Sequence, residues 1–153
     1  MPNKRTFHPD LVIKSVDDTL IAVVEVRNQQ DLSREDAIEM RHILIEHNYP
    51  SKVPYFLLLS QEVGFLWDET TQNDPDASPT YEFPMDKVVL RYFEEPPTER
   101  LYGDELELLV LQWLIGLTTK PQRINEEPEK TLERAGFNKY IKDADVFFGM
   151  NAA

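Results

Sequence analysis

The side chains best suited to chemistry in this sequence are two acids near its start, Asp10 and Glu25. Asp10 follows a proline, and Glu25 interrupts the otherwise apolar run 20–26. A carboxylate inside an apolar strand carries a desolvation cost unless a cation or a hydrogen-bond donor compensates it. Carboxylate oxygens are also the ligands that Mg²⁺ prefers in proteins. The two acids therefore indicate a site for a divalent cation.

The segment between the two acids predicts a β-hairpin. Its turn lies over 16–19, and the strands on either side are rich in apolar and β-branched residues. A turn of even length pairs Ser15 with Leu20, and the same register sets Asp10 directly opposite Glu25. The two acids are therefore predicted to be cross-strand neighbours.

Opposed carboxylates in such a pair repel each other, because their Cβ atoms lie roughly 4.5 to 5.5 Å apart. Arg27 follows Glu25 by two residues and so projects from the same face of the strand. Its charge, together with a cation that bridges Asp10 and Glu25, would offset the repulsion. A second interpretation stays open, in which Glu25 and Arg27 form an ordinary ion pair and Asp10 caps a turn in solvent.

Strand and helix signals alternate after this hairpin, as in an α/β domain. Ser33 is a suitable helix N-cap with Asp36 three residues later, and an amphipathic helix is predicted from there to His47. Two further apolar strands, over 54–59 and 64–67, are predicted to form a second hairpin. The predicted order is strand, strand, helix, strand, strand.

The second half of the chain begins with a segment rich in proline and polar residues, 70–86, which predicts a long loop. The segment 87–93 predicts either a strand or a short helix. A long helix follows, with Asp104 and Glu107 as its predicted caps. Its apolar stripe has helical spacing and is expected to pack in the core: Leu106, Leu109, Val110, Trp113, Leu114 and Leu117.

We expect the whole chain, 1–153, to form a single domain. Its core is predicted over 8–69 and 87–117, with a C-terminal helical extension over 118–153. Within that extension, a proline and a glycine bracket a short helix, at Pro128 and Gly136. The aromatic residues that follow either pack on the domain or meet a partner: Tyr140, Phe147 and Phe148.

The composition limits the classes of function. The formal net charge is −12 and the pI about 4.6, whereas a domain that binds DNA through surface charge usually has a basic face. The chain contains no cysteine, which excludes disulfides, zinc–thiolate sites and thiol nucleophiles. No apolar run approaches the roughly 18 residues of a membrane span. We expect a soluble, cytoplasmic protein that does not associate with membranes.

The Pro9-Asp10 dipeptide, the hairpin and the Glu25-Val26-Arg27 triplet, followed by a helix and another apolar strand, resemble the PD-(D/E)xK nuclease superfamily. The resemblance covers about 8–69 and, more loosely, the helix over 104–117. In size the chain is similar to the small stand-alone bacterial members. The resemblance implies the restriction-endonuclease-like fold, an α/β domain whose mixed sheet of about four to five strands is flanked by helices.

The same resemblance implies metal-dependent hydrolysis of DNA phosphodiester bonds, with Asp10, Glu25 and Arg27 as the catalytic residues. Asp10 and Glu25 would bind Mg²⁺ or Mn²⁺, and the backbone carbonyl of Val26 would be a further ligand. Arg27 occupies the position of the lysine that orients or activates the attacking water. Supporting polar groups are expected at four other positions: His8, Gln29, Gln30 and Arg41.

Two departures from the family pattern keep other functions open. An arginine stands where the motif has lysine, and only nine residues precede Asp10, too few for the helix that often opens this fold. An active nuclease would have DNA as its partner. A catalytically degenerate member would instead bind a protein partner or form a homo-oligomer. A third alternative is an acidic mimic of DNA that inhibits a nucleic-acid-binding protein.

Overall fold

A computed structural model of the protein describes residues 9–47, 53–69 and 74–149. Within these ranges the elements follow in the order β1 (Leu11–Lys14), β2 (Leu20–Val26), α1 (Arg34–Glu46), β3 (Tyr55–Leu59), β4 (Val63–Asp68), β5 (Tyr81–Pro84), α2 (Asp86–Leu90), α3 (Gly103–Thr119), α4 (Glu129–Arg134), α5 (Phe137–Tyr140) and β6 (Asp145–Phe148). None of the helices in these ranges is both long and apolar enough to cross a lipid bilayer.

The six strands form one mixed sheet in the order β5-β4-β3-β2-β1-β6. β2 and β3 are parallel and joined by α1, whereas the other neighbouring strands are antiparallel. The predicted α/β class, with a mixed sheet flanked by helices, is confirmed. The sheet has more strands than the predicted four to five, because β5 lies in the segment 70–86 that was predicted to be a loop and β6 lies in the extension 118–153 that was predicted to be helical.

Helices cover both faces of the sheet. α1 covers one face, over a cluster that includes Val12, Val23, Ala37, Leu44, Phe56 and Leu58. α2 to α5 cover the other face, over a larger cluster that includes Leu11, Ala22, Val24, Leu57, Val88, Leu132 and Phe137 together with the whole predicted stripe of α3. Since strand side chains alternate between faces, Glu25 belongs to the α1 face with Val23.

The β1–β2 hairpin has the predicted register near the acids and a different one near the turn. From Ile13 outwards the residues pair as predicted, but Leu20 faces Lys14 rather than Ser15. The loop has an odd number of residues, which shifts the pairing by one, and a bulge at Ile21 shifts it back. Because the two irregularities cancel, the ladder still runs outwards towards the two acids in the predicted register.

The segment 70–86, predicted to be a loop, contains the edge strand β5. Phe83 of this strand is buried against Gly64 of β4, where an added Cβ would lie 2.2 Å from the Phe83 ring. Only glycine therefore fits at position 64. Pro84 ends β5 at the edge of the sheet, where a missing N–H is tolerated. The next segment, predicted as strand or helix, is the helix α2.

The sequence predicts the ends of α1 and α4 correctly. Ser33 Oγ accepts the N–H of Asp36 at 3.0 Å, and Asp36 Oδ2 accepts the N–H of Ser33 at 3.2 Å. These bonds form the predicted capping box. Pro128 directly precedes α4, and Gly136 follows it with a φ of 78°, a backbone conformation that favours glycine.

The predicted caps of α3 are wrong. The N-cap is Tyr102, two residues earlier than Asp104, and the Tyr102 N–H donates to Glu105 Oε1 at 2.8 Å. Glu107 lies further along the helix, in its first turns, and is half-buried. Its side chain is therefore available for another role.

Candidate functional site

Asp10 directly precedes β1, and its carboxylate closes the end of the hairpin. Asp10 Oδ2 accepts the backbone N–H of Val26 at 2.7 Å. The carboxylate thus takes the place of a backbone carbonyl in the ladder, beside the peptide group that joins Glu25 to Val26. The Asp10 carbonyl accepts the N–H of Gly149 at 3.0 Å, which ties this position to the residue after β6.

Glu25 is the buried acid of the site, with only 3 % of its surface exposed. Arg27 Nη2 lies 3.0 Å from Glu25 Oε1, and the Arg27 side chain is 38 % exposed. The Arg27 N–H donates to the Leu59 carbonyl at 2.8 Å, which extends the pairing of β2 with β3. Asp10, Glu25 and Arg27 therefore lie at the same end of the sheet; we call these three residues the candidate site.

A third acid, Glu107 of α3, interacts with the candidate site. Burial raises the pKa of the Glu107 carboxyl, and the negative charges of Asp10 and Asp104 raise it further. α3 covers the face of the sheet opposite to that of Glu25. The negative charge of Asp10, at the end of its strand, therefore acts on a carboxylate of the α3 face. The sequence marks Glu107 only as a helix residue, because its position near Asp10 depends on how α3 packs.

The oxygen atoms at the candidate site suit a hard divalent cation that keeps much of its water. Asp10 and Glu25 supply two carboxylates, and strand geometry directs the Val26 carbonyl to the same side as its N–H, towards Asp10. In the part of the chain that the structure describes, no three or more His, Asp or Glu side chains are arranged to hold a metal. Mg²⁺ fits such a sparse set, because proteins often bind it through one or two carboxylates and substrate phosphate.

Polar contacts from the segment before α3 fix the loops that flank the candidate site. Asn28 Nδ2 donates to the Leu101 carbonyl, and the Leu101 N–H donates to Gln61 Oε1 at 3.1 Å. Arg100 forms a bidentate ion pair with Glu62, with distances of 2.5 and 3.0 Å. These contacts hold the start of α3 against the ends of β2 and β3, and thereby set the position of α3 relative to the acids.

The four predicted supporting residues lie in different surroundings. His8 is outside the described residues. Gln29 and Gln30 are exposed in the loop after β2, close in sequence to the candidate site. Arg41 is 2 % exposed; its Nε donates to Glu69 Oε1 at 3.1 Å, and its guanidinium lies over two aromatic rings at 5.4 and 5.9 Å. These contacts join α1 to the end of β4, two strands away from β2 in the sheet.

Comparisons of the chain with protein families, with characterised proteins and with solved structures found no match. The residues and geometry of this chain are therefore what indicates its function.

Proposed function

We propose that this protein hydrolyses phosphodiester bonds in DNA with the help of Mg²⁺ or Mn²⁺, at a PD-(D/E)xK-type nuclease site formed by Asp10, Glu25 and Arg27. One observation carries the proposal. A glutamate that is 3 % exposed lies near the end of a central strand, and a second carboxylate is bonded to the next peptide group. Burying a carboxylate in a strand carries a desolvation cost, and proteins often accept such a cost where function requires it.

The position of the acids in the sheet supports the same function. β2 and β3 are the parallel strands, and the candidate site lies at their carboxyl ends. In open α/β sheets, ligands bind outside the carboxyl ends of the strands. The Val26 N–H restrains the Asp10 carboxylate at this end through its hydrogen bond.

Each residue has its own task in the proposed reaction. A bound Mg²⁺ or Mn²⁺ polarises the phosphoryl oxygen and lowers the pKa of water. Asp10 and Glu25 supply the negative charge that holds the cation at the end of β2. Arg27 places a fixed positive charge beside the scissile phosphate and stabilises the negative charge that develops there. Because a guanidinium stays protonated, Arg27 does not remove the proton from the attacking water.

A non-catalytic role as an interaction module is the second candidate, and the ion pair of Arg27 with Glu25 favours it. An arginine at 3.0 Å from Glu25 compensates the buried carboxylate without a metal. Such a module would keep the nuclease fold while binding a protein partner or a second copy of the chain.

Cleavage assays on plasmid and linear DNA with Mg²⁺ or Mn²⁺ test the first candidate. The wild-type protein should cut DNA, and a chelator should abolish the cleavage. Asp10→Asn and Glu25→Gln should lower the rate at least about tenfold. Asp145→Asn and Glu95→Gln, which change exposed acids elsewhere, are the matched controls and should cut at the wild-type rate. Cleavage that both site variants retain would contradict the site.

Arg27→Lys distinguishes the two candidates. Lysine restores a compact charge that can approach one water molecule, so a nuclease should keep or gain metal-dependent cleavage with this substitution. If both the wild-type protein and Arg27→Lys are inactive with either metal, the nuclease proposal fails and the interaction module is favoured.

A further inference from the structure

A cavity of about 440 Å³ lies at the opposite end of α3 from the candidate site. Its walls are formed by the last turns of α3, by Arg91 and Tyr92 after α2, and by the segment 122–129. At 1.5 Å per helical residue, its lining residues lie roughly 9 to 20 Å from Glu107 along α3. Its volume is within the range of sites for small organic ligands, about 300 to 1,000 Å³. We call it the α3 cavity.

The lining of the α3 cavity has a charge opposite in sign to the net charge of the whole protein. The charged side chains that line it are Arg91, Lys120, Arg123 and Glu129, with a net charge of +2 in a chain of −12. Both Glu129 oxygens accept hydrogen bonds from Arg91, so these two charges offset each other. Lys120 and Arg123 remain to attract an anion. Arg123 also pairs with Glu126 at 3.3 Å, but both side chains are exposed and such pairs are weak.

One stripe of α3 forms the floor of the α3 cavity. Trp113, Gly116 and Leu117 line it at the spacing i, i+3 and i+4, which places them on one face of the helix, and Lys120, the extended C-cap residue, lines it just beyond. The lining therefore places an aromatic ring and an apolar side chain beside a cation. An amphipathic anion, with an apolar ring at one end and a negative group at the other, would match this arrangement.

Gly116 is the second observation that points to a ligand. A glycine inside a helix reduces stability relative to alanine, unless a side chain would clash there. At Gly116 no clash requires a glycine, because an added Cβ would meet no atom within 4 Å. The missing side chain keeps the floor of the α3 cavity open.

The carbonyls at the end of α3 would repel an anion if they were free. The Ile115 carbonyl accepts bonds from the hydroxyls of Thr118 and Thr119 at 2.8 and 2.9 Å. The Gly116 carbonyl accepts the N–H of Lys120 at 3.0 Å. These bonds engage two carbonyls of the final turn and reduce the repulsion.

We propose that the α3 cavity binds a small phosphate monoester that carries a planar ring, a ligand of the mononucleotide class. A phosphate monoester carries about −1.5 to −2 charge at neutral pH, which matches the net +2 of the lining. Lys120 and Arg123 bind the phosphate, and the ring packs against Tyr92 and Trp113 over the open floor at Gly116. This inference does not depend on the nuclease proposal.

Calorimetric titration and amide NMR with three probes test the proposal. Adenosine monophosphate is the complete probe, whereas inorganic phosphate lacks the ring and adenosine lacks the phosphate. The complete probe should bind at least about tenfold more tightly than either half, because both contacts contribute. The amide of Gly116 and its neighbours should shift, while those of the candidate site should not.

Variants of the α3 cavity sharpen the test. Lys120→Gln and Arg123→Gln should each weaken binding at least about fivefold, whereas Arg34→Gln, an exposed arginine on the other face of the sheet, should not. Gly116→Leu should fold with an unchanged or higher melting temperature, because space is open there, and should block the ring.

Four results would overturn the proposal. These are no binding at about 5 mM adenosine monophosphate, equal affinity for adenosine, amide shifts centred on the candidate site, or unchanged affinity in a folded Gly116→Leu protein.

Discussion

Two glutamate–arginine pairs, one at the candidate site and one at the other end of α3, differ in the elements that they join. Glu129 Oε1 accepts from Arg91 at 3.0 Å, and its Oε2 accepts from Trp113 Nε1 at 2.9 Å as well as from Arg91. This pair joins α4 to α3 and to the end of α2. Glu25 pairs instead with Arg27 on its own strand, and that guanidinium is 38 % exposed.

This difference indicates which pair stabilises the fold. Burial by itself raises the pKa of Glu129, but the hydrogen bonds from Arg91 and Trp113 outweigh it, and the pKa of the carboxyl lies below its usual value. Glu129 therefore favours the charged form in the folded protein. Glu25 is equally buried, and it lies one residue beyond the last recorded pair of the β1–β2 ladder, Leu11 with Val24, at the end where Asp10 bonds to Val26. The first arrangement is that of a structural pair, and the second is the one that we propose as a metal site.

The largest effect is expected when the structural pair is broken. Arg91→Met leaves the buried Glu129 carboxylate without its cation and should lower the free energy of unfolding by about 3 kcal/mol. Arg34→Met is the matched control, because Arg34 pairs with Glu82 at 3.7 Å with both side chains about half exposed. It should cost less than about 1 kcal/mol. Urea unfolding measures both, and equal losses would contradict the structural role of the first pair.

The same substitution should have different effects at the two glutamates. Glu129→Gln removes charge-assisted bonds and should destabilise the fold by about 2 kcal/mol. Glu25→Gln removes part of a desolvation penalty together with an ion pair whose guanidinium is 38 % exposed, so without metal it should change the free energy of unfolding by less than about 1 kcal/mol. Urea unfolding in the presence of a chelator measures both changes. A loss at Glu25 as large as that at Glu129 would mean that Glu25 is structural.

The pH dependence of stability should distinguish a third pair, Arg41 with Glu69, from Arg91 with Glu129. Burial raises the pKa of Glu69 more than Arg41 lowers it, and one buried oxygen of Glu69 has no hydrogen-bond partner among the residues that the structure describes. The folded state therefore binds this proton more tightly than the unfolded chain. Its contribution to stability rises as pH falls through the raised pKa and is complete below the unfolded value.

Glu129 should behave in the opposite way, because its pKa is lowered. Its contribution is present above the unfolded pKa and is lost as pH falls through the folded one. Acid titrations of stability for Glu69→Gln and Glu129→Gln, each compared with the wild-type protein, measure the two contributions. If both differences changed in the same direction, the contrast between the pairs would be wrong.

A smaller effect links Glu107 to the proposed metal. The charge of Asp10 helps to raise the pKa of the Glu107 carboxyl, after burial. Asp10→Asn should therefore lower this pKa, and Mg²⁺ bound at Asp10 should lower it in the wild-type protein. Carboxyl-carbon NMR titrations with and without Mg²⁺ measure both shifts. If Mg²⁺ shifts the titration of Glu107 equally in Asp10→Asn, the cation is not at Asp10.

Local sequence pattern was sufficient for several elements. The helical spacing of apolar residues predicted the buried stripe of α3, and Ser33 with Asp36 predicted the start of α1 because a capping box involves neighbours in sequence. The register beside the acids was also predicted. The observed register matches the prediction only because the bulge at Ile21 compensates the odd number of loop residues, and the sequence pattern gave no sign of either.

The local sequence pattern could not predict features that depend on residues far apart in the chain. β6 pairs with β1 across almost the whole length of the chain, so the prediction of a helical extension missed it. Arg41, an expected polar support, is buried because Glu69 and two aromatic rings surround it, and the loop that helps to place Glu69 has no periodic signal. The interaction of Glu107 with Asp10 requires α3 to pack on the sheet. A sequence pattern predicts contacts only between residues that are close to each other in the chain.

Calorimetric titration with Mn²⁺ tests the central claim, that Asp10 and Glu25 together hold a divalent cation. The account predicts one site in the wild-type protein, at least about tenfold weaker binding in Asp10→Asn and Glu25→Gln, and unchanged binding in Asp145→Asn and Glu95→Gln. Wild-type affinity in both site variants would contradict it.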